Sequence, residues 1–111
     1  MSHTLGQFCV LECRHFQLDW NEAKATINLR KHGVSFELAS SVFTDPQILT
    51  VADIEHSEFD ERWFSVGLAS NGALLSVAYL WTEQEPGLIR IRLISAHRAT
   101  SVEVHYYKER Q

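Results

Sequence analysis

The stretch that decides the fold is WFSVGLASNGALLSVAYLWT, residues 63–82. Trp63–Ala69 and Ala73–Thr82 are rich in β-branched and aromatic side chains, which is typical of strands. Between these segments, Asn71-Gly72 tolerates the positive φ values of a tight hairpin, whose twist matches that of the flanking strands. The stretch therefore predicts two neighbouring antiparallel strands.

Two further segments with a strand-like rhythm, Ile48–Ala52 and Leu88–Ala96, flank this hairpin. Glu83–Gly87 ends in Pro-Gly and predicts a looser turn, so the third and fourth strands should also pair. We therefore expect a four-stranded antiparallel meander, with Phe16–Leu18 as a candidate for an additional edge strand.

A helical rhythm precedes the strands. Asp19, followed three residues later by Glu22, resembles a capping box and predicts a helix over Trp20–His32. Gly33 supplies the left-handed residue that closes such a helix.

Two more helices are predicted on either side of the strands. Ser35 is a suitable N-cap for a helix of about two turns that Asp45-Pro46 ends. Thr100 and Glu103 form a second capping box, which starts a helix running to the C-terminus. Helices, then a run of strands, then a helix indicate the α+β class.

The composition fits one globular domain: 111 residues, 45% of them hydrophobic, with 2 Pro and 5 Gly. We expect residues 1–15 to be an N-terminal extension and residues 16–111 to be the domain. No apolar run approaches the roughly 18 to 20 residues that span a bilayer, and the N-terminus does not resemble a signal peptide. These features predict a cytoplasmic protein without a membrane contact, in which Cys9 and Cys13 stay reduced and bind no metal.

The charge is unevenly distributed. The formal net charge is −4, and residues 45–62 alone carry −5, whereas residues 20–33 carry +2 and residues 88–111 carry +3. Local clustering matters more than the total for binding an anion, so a basic face is compatible with this acidic chain. Solvated faces of mixed charge remain the alternative.

The fourth predicted strand carries Arg90 and Arg92, which alternation places on one face. Arginine is almost never buried without a partner, so this face must be solvated, paired with carboxylates or open to an anion. The neighbouring predicted strands offer no carboxylate, which favours an anion site; salt bridges remain the alternative.

Histidines are the other candidates for chemistry, because imidazole can act as a general acid or base near neutrality. His32, His97 and His105 lie in or beside the basic segments. His32 is equally well explained as a cation at a helix C-terminus. The sequence has no Gly-rich phosphate loop, HExxH or GxSxG motif, so it offers no support for nucleotide hydrolysis, zinc proteolysis or serine hydrolysis.

Several motifs occur along the chain in a fixed order and spacing. They are Trp20-Asn21-Glu22-Ala23-Lys24, Asn28, Lys31-His32-Gly33-Val34-Ser35-Phe36, Val42-Phe43-x-Asp45-Pro46, Asp53-x-x-His56-Ser57-Glu58, Glu61-Arg62, Ile91-Arg92-Leu93-Ile94-Ser95-Ala96, and Ala99-Thr100 with Glu103 and Tyr107. Together these motifs resemble the BrnT family of type II toxins, over about Phe16 to Tyr107. The match departs from the family pattern at Asn21, where the family usually has Asp, and at His97, where it usually has Arg.

The resemblance implies a RelE-like fold and a metal-independent endoribonuclease, without a cofactor, that inhibits translation by cutting RNA. It also implies a neighbouring antitoxin with a ribbon-helix-helix type domain, and contact with operator DNA only through that antitoxin. A homodimer and a toxin–antitoxin heterotetramer are both compatible with it. A catalytically weak, antitoxin-bound corepressor is the alternative function.

The resemblance also selects candidate site residues. Arg62 and Arg92 match family positions and are candidates for phosphate clamps. Arg90, Arg98 and Lys31 are candidates for further RNA contacts. The candidates for the acid and base roles, which the sequence does not rank, are Lys24, His32, His97, Glu103 and Tyr107.

Overall fold

The computed structural model describes residues 2–9, 15–52 and 61–109, and the predicted acidic segment lies partly outside these ranges. The elements in chain order are β1 Ser2–Cys9, β2 His15–Asn21, α1 Glu22–His32, α2 Phe36–Ser40, a 3-10 helix Ser41–Thr44, β3 Leu49–Ala52, β4 Glu61–Leu68, β5 Leu74–Glu85, β6 Leu88–Arg98 and α3 Ser101–Glu109. The α+β class is confirmed.

The strands of the described residues form one mixed sheet in the order β1-β2-β6-β5-β4-β3. The predicted meander is present, because β3, β4, β5 and β6 pair antiparallel in sequence order. Ala69 and Ala73 close the predicted hairpin, in which Gly72 has a φ of 87°.

The prediction of a purely antiparallel, four-stranded sheet is wrong. Phe16–Leu18 belongs to β2, which is an interior strand that runs parallel to β6 and is flanked on its other side by β1. Part of the predicted extension thus joins the sheet. Alternation of side chains identifies a strand but does not reveal its partner, and a parallel partner far away in sequence is the hardest to foresee.

The helix prediction for residues 20–32 holds except at its start. Asn21, not Asp19, is the N-cap, because its Oδ1 accepts a hydrogen bond from the Lys24 backbone N–H at 3.1 Å. Trp20 instead belongs to β2 and is completely buried. The departure from the family's usual Asp at position 21 therefore preserves the cap, since Asn caps helices as well as Asp does.

The core lies on one face of the sheet, beneath α2 and the 3-10 helix. Phe36, Ala39 and Val42 pack there against Val77 and Tyr79 of β5. Ser35 caps α2 as predicted, accepting a hydrogen bond from the Leu38 N–H. We call this side the core face and the opposite side of the sheet the site face.

At the edge of β6, α1 takes the place of a strand. The pairing of β2 with β6 ends at Leu93, and beyond it a bulge at Ile94 shifts the register with β5. The buried Asn28 side chain of α1 accepts from the Ala96 N–H at 3.0 Å and donates to the Ala96 and Val34 carbonyls at 2.9 Å. The Asn28 side-chain amide thus makes the hydrogen bonds to Ala96 that a neighbouring strand would otherwise make, and it holds α1 beside the end of β6.

The last helix, α3, packs on the site face against β4. Its predicted capping box is confirmed: the Thr100 N–H donates to Glu103 at 2.8 Å and the Glu103 N–H donates to the Thr100 hydroxyl at 3.2 Å. No helix in the described part of the chain is long and apolar enough to cross a membrane.

Candidate functional site

An imidazole and a carboxylate meet where β6 ends and α3 begins. His97 lies opposite Ser76 on the site face, and its Nε2 is 3.3 Å from Oε1 of Glu103. The His97 side chain is 39% exposed, and that of Glu103 is 22% exposed. Solvent or a substrate can therefore reach the imidazole, while the carboxylate is held behind it.

Glu103 is fixed by more than His97. Partial burial acts to raise the pKa of its carboxyl, but hydrogen bonds from the Thr100 backbone and the Ser76 hydroxyl, together with His97, hold this pKa below the ordinary value. Glu103 is consequently a carboxylate at neutral pH, and it can accept a hydrogen bond from the imidazole and orient it. A carboxylate plays this part for catalytic histidines in several hydrolases.

A second imidazole lies next to the first. The rings of His32 and His97 have their centroids 6.0 Å apart, because α1 ends beside the end of β6. Close to His32, a cleft of about 180 Å³ separates α1 from β6. We call it the α1–β6 cleft, and its lining is largely cationic or polar: Lys24, Ile27, Asn28, Lys31, His32, Ile94 and Ser95.

Among the predicted acid, base and RNA-binding residues, Lys24, Lys31, His32, His97 and Glu103 thus come together around one end of β6. His105 does not belong to this group by its contacts. It pairs with Glu109 at 3.7 Å on α3, where both side chains are about two-thirds exposed.

Arg90 and Arg92 of β6 both form a salt bridge, although the sequence predicted no carboxylate in the neighbouring strands. Asp19 of β2 accepts from Arg90 Nε at 2.8 Å and from Arg92 Nη1 at 3.2 Å. The prediction missed Asp19 because it assigned this residue to a helix cap, whereas parallel pairing places it directly beside Arg92. The salt-bridge alternative is therefore correct, although the side chains of Arg90 and Arg92 stay 36% and 28% exposed.

Arg62 extends this row across the sheet. It pairs with Leu80, which in turn pairs with Arg92, so Arg62 and Arg92 lie on the site face with one residue between them. His97 is five residues from Arg92 along β6. At about 3.3 Å per residue, the Cα atoms of Arg92 and His97 are up to about 16 Å apart.

Arg98 and Tyr107 do not join the site in this arrangement. Arg98 is paired with the core residue Leu75, so its exposed side chain leaves the sheet on the face opposite to His97. Tyr107 is only 6% exposed, and its hydroxyl donates to Asp45 at 2.5 Å. This hydrogen bond ties α3 to the turn that follows the 3-10 helix.

An apolar groove borders the site. It has a volume of about 470 Å³ and lies between α3 and the site face of β3 and β4, where Glu103 lines the groove and also contacts His97. Its other lining residues are Leu49, Val51, Phe64, Val66, Val102 and Tyr106.

Sequence reasoning missed two residues that organise the site, Asp19 and Asn28. A signal for Asn28 was available, because this residue is one of the motif positions that resemble the family pattern. Asp19 gave no usable signal, because its role depends on the parallel pairing of β2.

An imidazole in contact with a carboxylate, beside a cationic cleft, has the chemical groups that acid–base chemistry on an anion requires. Within residues 2–9, 15–52 and 61–109, no group of three His, Cys, Asp or Glu side chains could hold a metal ion.

Comparison with known proteins identifies the family. A family model described as ribonuclease toxin, BrnT, of type II toxin-antitoxin system matches residues 20–103. This match covers most of the chain, which therefore belongs to the BrnT ribonuclease toxin family.

Among solved structures, the chain is similar to the 1.1 Å crystal structure of the Brucella abortus ribonuclease toxin BrnT. The two share 21% sequence identity over 74% of this chain and 94% of the Brucella chain, with a TM-score of 0.47. No curated protein matches the sequence.

Proposed function

We propose that the protein is an endoribonuclease toxin that cuts RNA at the end of β6, without a metal. The observation that carries this proposal is the His97–Glu103 pair, with His32 and the α1–β6 cleft beside it. Membership of a ribonuclease toxin family makes RNA the expected anionic substrate.

In the proposed reaction a ribose 2′-oxygen attacks the adjacent phosphorus. A neutral imidazole takes the 2′-hydroxyl proton, the bond from phosphorus to the 5′-oxygen breaks, and a protonated imidazole gives its proton to that leaving oxygen. His97 and His32 are the two imidazoles. The products are a 2′,3′-cyclic phosphate and a 5′-hydroxyl.

Charge on the phosphoryl oxygens increases as the 2′-oxygen attacks, and nearby cations stabilise it. Lys24 and Lys31 line the α1–β6 cleft and are placed to do so. Arg62 and Arg92 lie farther along the site face and are assigned to neighbouring phosphates of the same strand.

The family also requires a protein that neutralises the toxin, since it belongs to type II toxin-antitoxin systems. We infer an antitoxin of the ribbon-helix-helix type that links the complex to operator DNA, and inhibition of translation as the consequence of RNA cutting. Co-expression with the neighbouring open reading frame should restore growth and yield a co-purifying complex.

The test of the activity is an RNA cleavage assay with purified protein in the presence of EDTA. We expect fragments that end in 2′,3′-cyclic phosphate and no cleavage of a DNA strand of the same sequence. Loss of cleavage in EDTA, with recovery on adding a divalent ion, would contradict metal independence.

The matched control for His97→Ala in this assay is His105→Ala, because His105 is also a surface histidine that contacts a glutamate. We expect His97→Ala to lose activity and His105→Ala to retain it. A wild-type protein that binds its antitoxin but neither cuts RNA nor stops growth would instead support the corepressor alternative.

A further inference from the structure

A buried carboxylate lies beneath the two arginines of β6. The Asp19 side chain is 6% exposed, and each of its oxygens accepts from a different guanidinium: Oδ2 from Arg90 Nε and Oδ1 from Arg92 Nη1. One acid thus contacts two cationic side chains and holds them close together.

The parallel register of β2 and β6 explains this convergence. Asp19 is paired with Arg92, and Gln17 is paired with Arg90. Arg90 therefore reaches diagonally along the strands to Asp19, instead of extending directly away from the sheet. Both guanidiniums are drawn to the same point of the site face.

The two arginines lie above the carboxylate. Asp19 is the least exposed of the three residues, so the arginine side chains, and not the acid, face the solvent on the site face. The hydrogen bond of Arg90 uses only its Nε–H. The Nη groups of the planar fork remain to bind a phosphate, for which this geometry is well suited.

A purely structural role explains this arrangement less well. The backbone ladder between His15–Trp20 and Leu88–Leu93 already holds β2 to β6. Burying a carboxylate costs free energy that partly exposed ion pairs recover only in part. An apolar residue at position 19 would extend the sheet without that cost.

We infer that Asp19 is a positioning residue, which fixes Arg90 and Arg92 as a clamp for the RNA backbone. This inference rests on the proposed ribonuclease function and adds a residue to it. Asp19 itself does not contact RNA and acts through the two arginines.

Replacing Asp19 by Asn should change the affinity for RNA in opposite directions, depending on whether the site works by net charge or by orientation. Asp19→Asn removes a negative charge next to the clamp, so a site that works only by net charge should bind RNA more tightly. A site that works by orientation should bind RNA more weakly, because the guanidiniums lose their fixed geometry. We expect KM for an RNA oligonucleotide to rise roughly tenfold, with kcat changed less than about threefold.

The matched control is Asp45→Asn. Asp45 is also a partly buried aspartate, and it accepts from the Leu68 N–H and the Tyr107 hydroxyl. This variant should lower the melting temperature and leave KM unchanged. An unchanged or lower KM in folded Asp19→Asn would overturn the inference.

A second variant covers the case in which Asp19→Asn does not fold. Arg90→Lys keeps the charge and leaves Asp19 paired with Arg92, but an ammonium lacks the planar fork. We expect it to raise KM by a similar factor, and an unchanged KM would again overturn the inference.

Direct RNA binding, measured by fluorescence polarisation, separates this inference from the proposed function. Weaker binding of labelled RNA by Asp19→Asn than by the wild type supports the clamp, and equal or tighter binding contradicts it. Absence of cutting by the wild type contradicts only the ribonuclease proposal.

Discussion

Replacing Glu103 by Gln tests both parts that this side chain plays, as the cap of α3 and as the partner of His97. Glutamine retains an oxygen that can accept from the Thr100 N–H, which lies 2.8 Å from the carboxylate, but it lacks the charge. A charged side chain in the first turn of a helix contributes about 0.3 to 1 kcal/mol, and a charge-assisted hydrogen bond exceeds a neutral one by a similar amount. The free energy of unfolding of the variant should therefore be about 1 kcal/mol lower than that of the wild type at pH 7.

This loss of stability can be converted into an expected decrease in melting temperature. Unfolding entropy is roughly 2.1 cal/mol/K per residue, so for 111 residues 1 kcal/mol corresponds to about 4 °C. Differential scanning calorimetry resolves a difference of this size.

The difference in stability between the wild type and Glu103→Gln should become smaller as the pH falls. The folded protein holds the pKa of Glu103 below the ordinary value of 4.5, so the unfolded chain binds this proton more readily. The extra stability of the wild type is complete above pH 4.5 and is lost as the pH falls through the folded-state pKa. The two melting temperatures should therefore converge as the pH falls below 4.5, and a gap that does not narrow in acid would refute this explanation.

Catalysis by Glu103→Gln should fall as well. A glutamine amide can donate to Nε2 and thereby favour the wrong imidazole tautomer, an effect worth about 10⁴-fold in a buried serine-protease triad. The His97 side chain is 39% exposed and its contact with Glu103 is 3.3 Å long, so we expect a smaller drop in kcat, of roughly 10- to 100-fold. Full activity at pH 7 would exclude an orienting role.

Three other substitutions test the framework around the site. Asn28→Ala leaves buried backbone groups without partners and should cost about 3 kcal/mol or more, measured by urea unfolding; a cost below about 1 kcal/mol would contradict its bridging role. Tyr107→Phe removes the hydroxyl that donates to Asp45, so it should cost about 1 kcal/mol in the same assay, and a loss of kcat would return Tyr107 to the catalytic candidates. Gly67→Ala places a Cβ 3.0 Å from Val42 Cβ and should destabilise the fold by about 1 to 3 kcal/mol. An unchanged melting temperature would show that the backbone can shift to accommodate the methyl group.

Most of the fold was predictable because local signals agreed with one another. Asn71-Gly72 specified a hairpin, Gly33 ended α1 with a φ of 70°, and the Thr100–Glu103 capping box began α3. Each of these signals acts within a few residues of the chain, so the sequence alone carries it.

The errors share one cause, which is pairing over a long range. Asp19 satisfied the local pattern of a cap, but the sheet places it 2.8 Å from Arg90, 71 residues later in the chain. The contacts of Asn28 with Ala96 span 68 residues. Such contacts depend on the strand order, and alternation along one strand does not determine the order of the strands.

The candidate site was predictable in part. Its residue types followed from the basic segments and from the family resemblance, but their ranking required geometry. Contact with Glu103 favours His97, and the hydrogen bond to Asp45 gives Tyr107 a structural role. His97 also occupies the position where the family usually has Arg, so the proposed function depends most on this residue.

Single-turnover cleavage of a labelled RNA by wild type and His97→Ala is the most direct test of catalysis by His97. General acid–base catalysis contributes about 10²- to 10⁴-fold, so the variant should cut at least about 100 times more slowly. Its melting temperature should stay within a few degrees of the wild-type value, because the side chain is 39% exposed. Cleavage by a folded His97→Ala at the wild-type rate would contradict the assignment of the active site to the end of β6.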